Sequence, residues 1–150
     1  MLNQKYLLFK ISDYSFSIPI ENISRVIDTL QTRTFPLLKD SIEGLFIYEN
    51  YLIPMLKFSE NLGIVTSNVF YSDVEESVII AKSQNYYFGF RVDAVEGIIS
   101  VTDENLMSVE KHQDVLDYIN TSYSRSFFFD GQSNILILDI DKYVSEIIQS

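Results

Sequence analysis

The stretch Ile42-Glu43-Gly44-Leu45-Phe46-Ile47-Tyr48-Glu49-Asn50-Tyr51-Leu52-Ile53-Pro54-Met55-Leu56-Lys57-Phe58 decides how the rest of the chain is read. Two apolar runs rich in β-branched and aromatic residues flank Glu49-Asn50, and such runs about a two-residue turn predict a β-hairpin. Asn tolerates a left-handed backbone, so Asn50 suits a turn position that strains most residues. Pro54 lacks an N–H, which puts the second strand at a sheet edge, a bulge or a strand end. Gly44 opens the hairpin. Any antiparallel barrel contains a hairpin of this kind, and the alternation alone specifies no chemistry.

Upstream, Leu7, Phe9 and Ile11 alternate with Tyr6, Leu8 and Lys10. After Ser12-Asp13, the residues Tyr14, Phe16 and Ile18 alternate with Ser15 and Ser17. Period-two patterning on both sides of a polar turn predicts another hairpin with one buried face. Ile20, Ile23 and Ile27 recur at roughly helical spacing, so a short helical turn should lead into a strand. The pattern then returns. Phe16, Ile18, Ile20, Glu21, Ile23, Val26 and Ile27 correspond to Phe88, Phe90, Val92, Asp93, Val95, Ile98 and Ile99, at a constant offset of 72 residues. Each copy follows an apolar strand and a polar turn. β-Hairpins look alike by chance, but matched positions that include an acid favour internal duplication.

Residues 61–76 read as a linker, with a brief helix over 58–62 before Gly63. Thr102-Asp103-Glu104-Asn105 has the character of a helix start, and residues 110–117 read as a loop or fraying turn. One or two strands are expected over 118–129, ending at the Asp130-Gly131 turn signal. A buried strand over 135–138 then precedes a helix, begun by Asp139 or Asp141, that buries Ile140, Tyr143, Val144 and Ile147. The class is mostly β, with many short strands suited to barrels.

At 150 residues the chain is long enough for one ordinary domain, expected to bury about 68–70% of its unfolded surface. Each copy of the repeat is of a size at which a lone core is marginal, so the lobes should pack tightly together. With 21 acidic against 11 basic residues the net charge is −10, which argues against nucleic acid and against anionic lipid surfaces. No cysteine is present, so no disulfide framework or thiolate metal site can form. No apolar run approaches the ~18 residues of a membrane span and no signal-peptide pattern opens the chain, so a cytoplasmic location is expected.

The order of residues in the opening hairpin resembles the signature of the CheW-like domain, the coupling module of bacterial chemotaxis arrays. That family usually reads Asn-Leu-Arg-Gly at the centre, where this chain has Ile47-Tyr48-Glu49-Asn50, and Lys57 stands where an acid is usual. The scaffold is kept and the polar tip is rewritten. Similar order runs from Lys5 to Ile148, carried also by residues 16–27, 92–101 and 135–144. The resemblance implies two SH3-like five-stranded β-barrel lobes packed side by side with a third core between them, short helices and a C-terminal helix. On this reading residues 1–150 form a single domain, with lobes over about 5–63 and 76–138 and the helix over about 139–148. It further implies a non-catalytic adaptor joining the cytoplasmic tip of a chemoreceptor (a methyl-accepting chemotaxis protein) to the regulatory domain of a CheA-like histidine kinase. Other CheW-like modules are further partners of this kind, and neither a cofactor nor direct membrane insertion is implied. The partner-binding residues would be Ile23, Arg25, Gly44, Tyr48, Glu49, Asn50, Tyr51 and Leu52. In the family pattern the position of Arg25 is commonly acidic and that of Glu49 is the Arg of the motif, so both signs are reversed here.

Residue chemistry gives little support to catalysis. The sole histidine, His112, lies in Glu-Lys-His-Gln-Asp, which reads as a solvated loop without an apolar wall. Asp139 with Asp141, and Asp93 with Glu96 around a second helical turn, read as helix-start residues favoured by the dipole. No phosphate-binding glycine loop, nucleophile elbow or HExxH pattern occurs. Tyr48, Tyr51, Tyr71, Tyr86, Tyr87 and Phe127 to Phe129 supply more aromatic surface than two small cores obviously consume. Burial at the lobe joint and a partner surface are the two accounts of that excess. Two alternatives stay open: a divergent CheW-like scaffold of another signalling system that has lost standard receptor contacts, and an acidic nucleotide- or peptide-binding barrel.

Overall fold

The computed structural model describes residues 3–27, 42–64, 77–116 and 121–147. Strands β1 (Asn3–Ile11) and β2 (Tyr14–Pro19) form the first hairpin, and a 3-10 turn over Ile20–Asn22 leads into β3 (Ile23–Ile27). The hairpin β4 (Ile42–Tyr48) and β5 (Tyr51–Leu56) follows, then helix α1 (Phe58–Asn61), ended by Gly63 at φ 75°. The second copy gives β6 (Ser77–Ser83), β7 (Tyr86–Val92) and β8 (Ala94–Thr102). Last come β9 (Met107–Ser108), β10 (Ser124–Phe129), β11 (Asn134–Leu138) and helix α2 (Ile140–Ile147). Asp139 starts α2 as expected, its Oδ1 accepting the Lys142 N–H at 3.1 Å.

Two sheets result, ordered β8-β1-β2-β11-β10-β9 and β3-β6-β7-β5-β4. They cut across the contiguous lobes expected at 5–63 and 76–138. Each copy of the repeat sends its third strand to the other copy: β3 pairs with β6 and β8 with β1. Ile23 opposes Ala81 and Arg25 opposes Ile80 about a bulge, while Val95 opposes Phe9 and Gly97 opposes Leu8 about another. These registers are related by the same 72-residue offset, so the duplication is built into the pairing. The reason is energetic: an isolated copy is marginal, and exchange lets each half complete the other's sheet. The hairpins obey a second offset. Ile42 and Gly44 oppose Leu56 and Met55 across a bulge, as Ser124 and Ser126, 82 residues on, oppose Leu138 and Ile137.

Three apolar cores follow. Phe46, Ile53, Met55, Val78 and Ile80 fill the barrel of the five-stranded sheet, and Tyr6, Val101, Phe128 and Ile135 fill the other. The largest core lies between the sheets, where Phe9, Phe16, Phe58, Phe88, Phe90 and Tyr143 meet. Burying such a side chain contributes about 1.5–3 kcal/mol, so the joint is a main source of stability.

Three expectations change. The second copy has no helical turn at Asp93; the chain bends there, and Asp93 Oδ2 accepts the Ser12 N–H at 2.6 Å from the first hairpin's turn. The stretch expected as a loop or fraying turn carries a 3-10 segment over Glu110–Val115, and His112 does have an apolar wall, its ring standing edge-on to Phe127 at 5.6 Å. Thr102 does not cap the 3-10 turn Asp103–Asn105 with its side chain; its hydroxyl accepts from Asn105 Nδ2 at 2.8 Å. Residues 118–120 and Tyr71 lie outside the described residues.

Candidate functional site: the β4–β5 hairpin

Strand alternation sorts the hairpin into two faces. Phe46, Ile53 and Met55 point into the barrel core with Tyr48 packed partly against them. The opposite face carries Ile47 and Leu52, directly opposed across the ladder and exposed by 70% and 57%. Tyr51, opposite Tyr48, is 71% exposed. Glu49 and Asn50 both adopt left-handed backbone, at φ 47° and 69°, as a two-residue turn matched to strand twist requires.

The tip is tied to the far edge of the same sheet. Arg25 Nη1 on β3 lies 3.7 Å from Glu49 Oε1, with the two side chains 59% and 63% exposed. β3 and β4 are the two ends of the sheet order, so this ion pair bridges its ends. At the base of the hairpin, Glu43 accepts from Arg91 Nε at 3.1 Å. The residues expected at the site thus separate by depth. Arg25, Glu49, Asn50, Tyr51 and Leu52 are exposed, with Tyr51 and Leu52 on opposite faces of the strand, while Ile23 and Tyr48 are half-buried and Gly44 is buried beside its bulge. Ile47 was not singled out beforehand, though its pairing with Leu52 about the Glu49-Asn50 turn was readable in the sequence.

Of the other aromatics, Phe127 and Phe128 are buried, whereas Tyr86, Tyr87 and Phe129 are exposed. Ile98 on edge strand β8 is also open, and it too had gone unselected. The clear proton-affinity changes lie away from the hairpin. Burial raises Tyr6, Tyr123 and Tyr143; Glu21 and Asp103 add to it at Tyr6, and the Asn61 hydrogen bond opposes it at Tyr143. Among the described residues no group of three His, Cys, Asp or Glu side chains is placed to hold a metal ion, and no helix is long and apolar enough to cross a membrane.

A strand-exchanged pair of small barrels, with an apolar hairpin face beside a charged rim, defines a double-barrel domain whose candidate site is a contact surface. The chain belongs to the CheW-like domain family, which matches residues 5–147. It is similar to the chemotaxis protein CheW of Thermotoga maritima, 28% identical over 141 residues that cover 94% of this chain and 87% of the relative. The chemotaxis protein CheW of Treponema pallidum is 20% identical over 138 residues, covering 91% and 79%. In three dimensions the chain resembles the scaffolding protein TtCheW of Thermoanaerobacter tengcongensis. The TM-score is 0.77 at 18% identity, with 91% of this chain and 89% of that one covered.

Proposed function

We propose that the chain is a non-catalytic chemotaxis adaptor, residing in the cytoplasm, that couples a chemoreceptor tip to the regulatory domain of a CheA-like histidine kinase. Membership of the CheW-like family and the names of the relatives support the chemotaxis setting. The single observation that carries the contact role is the exposed apolar pair Ile47–Leu52. Solvated strands normally turn polar residues outward, and contiguous exposed apolar surface on a small barrel is costly unless covered by a partner.

The test is binding of the purified chain to the cognate kinase regulatory domain and to a receptor-tip helical hairpin. Ile47→Asp with Leu52→Asp should weaken binding to one of these by at least about tenfold while the fold survives, since both side chains face water. Undiminished binding of the double variant to both would remove the hairpin from the interface. The reversed signs of Arg25 and Glu49 favour a second reading, a divergent scaffold that has left standard receptor contacts. Kinase binding without receptor binding would select it.

A further inference from the structure

We propose that α1 and α2 form a reciprocal clasp that sets the angle between the two sheets. α2 follows β11 of the six-stranded sheet, and its foot is fastened on that side. The Asp139 N–H donates to Tyr123 O at 2.7 Å, and its carboxylate lies 3.4 Å from Arg125 Nε of β10. Its body crosses to the five-stranded sheet, where Ser83 Oγ of β6 donates to Asp141 and the Tyr143 ring lies 6.0 Å from Phe88 of β7. α1 makes the converse crossing. It follows β5, its Phe58 ring stacks on Phe90 of its own sheet at 4.1 Å, and the same ring reaches Phe9 of β1 at 6.4 Å.

The two helices meet at the joint. Asn61 Nδ2 of α1 donates to Tyr143 Oη of α2 at 2.7 Å, and the Phe58 and Tyr143 rings are 4.9 Å apart. Phe58 and Ile140, 82 residues apart, open the two helices, so the clasp obeys the same internal symmetry as the hairpins. Its physical task follows from the chemistry of the joint. Apolar contact is strong but not directional, so sheets held by phenylalanines alone can slip. A hydrogen bond has a preferred geometry, and a buried hydroxyl without one is penalised. Tyr143 is 1% exposed, so its bond to Asn61 fixes one relative placement of the helices.

The inference does not depend on which partner the chain binds, and its test needs none. In the isotopically labelled full chain, residual dipolar couplings from β1–β2 and β6–β7 should fit a single alignment tensor. Combining Tyr143→Phe with Ser83→Ala keeps the packing rings and removes both of these helix hydrogen bonds, leaving the Asp93–Ser12 bond between the hairpins in place. Both hairpins should keep their native chemical shifts while requiring two different tensors, and amide exchange over 140–147 should accelerate at least about tenfold relative to the hairpins. A single tensor in the variant, with or without faster helix exchange, would overturn the proposal. Acceleration shared equally by helices and strands would do so as well, because the bonds would then serve only global stability. Asn61→Ala, which keeps Tyr143 whole, should reproduce the orientational change if the clasp is real.

Discussion

The hairpins β4–β5 and β10–β11 share a register down to the bulge in their first strand, yet they finish differently. The first closes in two left-handed residues; the second has a longer turn in which the Asp130 carboxylate accepts the N–H groups of Gln132 and Ser133. Exposed Ile47 faces Leu52 in one, and at the corresponding place exposed Phe129 faces Asn134 in the other. β10 has β9 along its outer side, whereas among the described residues β4 ends its sheet. A barrel of this design therefore folds with Asn where the other has Leu, and with its edge covered. The Ile47–Leu52 face is not something the fold demands, in keeping with the contact role proposed for it.

The comparison breaks most visibly at the helices that follow the two hairpins. Ile140→Ala, at a buried site beside the central core, should cost about 2–5 kcal/mol, read as a lower denaturant midpoint. A change within a few tenths of a kcal/mol would mean that α2 only decorates the joint.

Next in size is a pair of corresponding core positions, Gly89 and Ser17. A Cβ at Gly89 would stand 2.8 Å from Phe46 Cζ, so Gly89→Ala should cost about 1–3 kcal/mol by overpacking. Ser17 Oγ donates to Leu136 O at 3.2 Å, so Ser17→Ala should lose only about 0.5–1.5 kcal/mol. Equal losses would mean that the barrels are packed alike at these sites.

Tyr143 offers a pH test of the joint. Burial raises its proton affinity in the folded state, so folded protein holds the proton where the unfolded chain begins to release it. Its stabilising contribution is present below about pH 10, the ordinary tyrosine value, and is lost as pH rises above it. Melting temperature should fall above that pH, and Tyr143→Phe should flatten the fall. An unchanged alkaline limb would place the titrating group elsewhere.

The smallest effect belongs to the ion pair at the hairpin tip. Exposed pairs contribute about 0.2–1 kcal/mol, so Arg25→Glu or Glu49→Arg should barely move the melting curve. Binding is the better readout, because like charges set facing at an interface can cost several kcal/mol. Each single swap should weaken partner binding, and the double swap should recover part of the loss with a coupling above about 0.5 kcal/mol. Strictly additive effects would show that the contact has no role in recognition.

Much of this was legible in the chain. The two-residue turn at Glu49-Asn50, the hairpin of β1 and β2, the 72-residue repeat, a helix begun by Asp139 or Asp141 and the acidic balance all rest on local chemistry. Alternation, turn residues and caps act within a few residues of one another, so a linear text records them. The strand exchange was not legible, because alternation says which face of β3 is apolar but not whether β2 or β6 lies beside it. The second offset of 82 residues was hidden because the spacing between the third strand and the following hairpin differs in the two copies, which breaks the register of a simple repeat. Burial of Phe127 and Phe128 beside exposed Phe129 and the wall behind His112 were likewise settled only by tertiary structure, whereas the reversed signs of Arg25 and Glu49 hinted at their meeting and left drift as the equal alternative. Each depends on which distant surfaces the cores bring together, and that is set by packing over the whole molecule rather than by any one stretch of it.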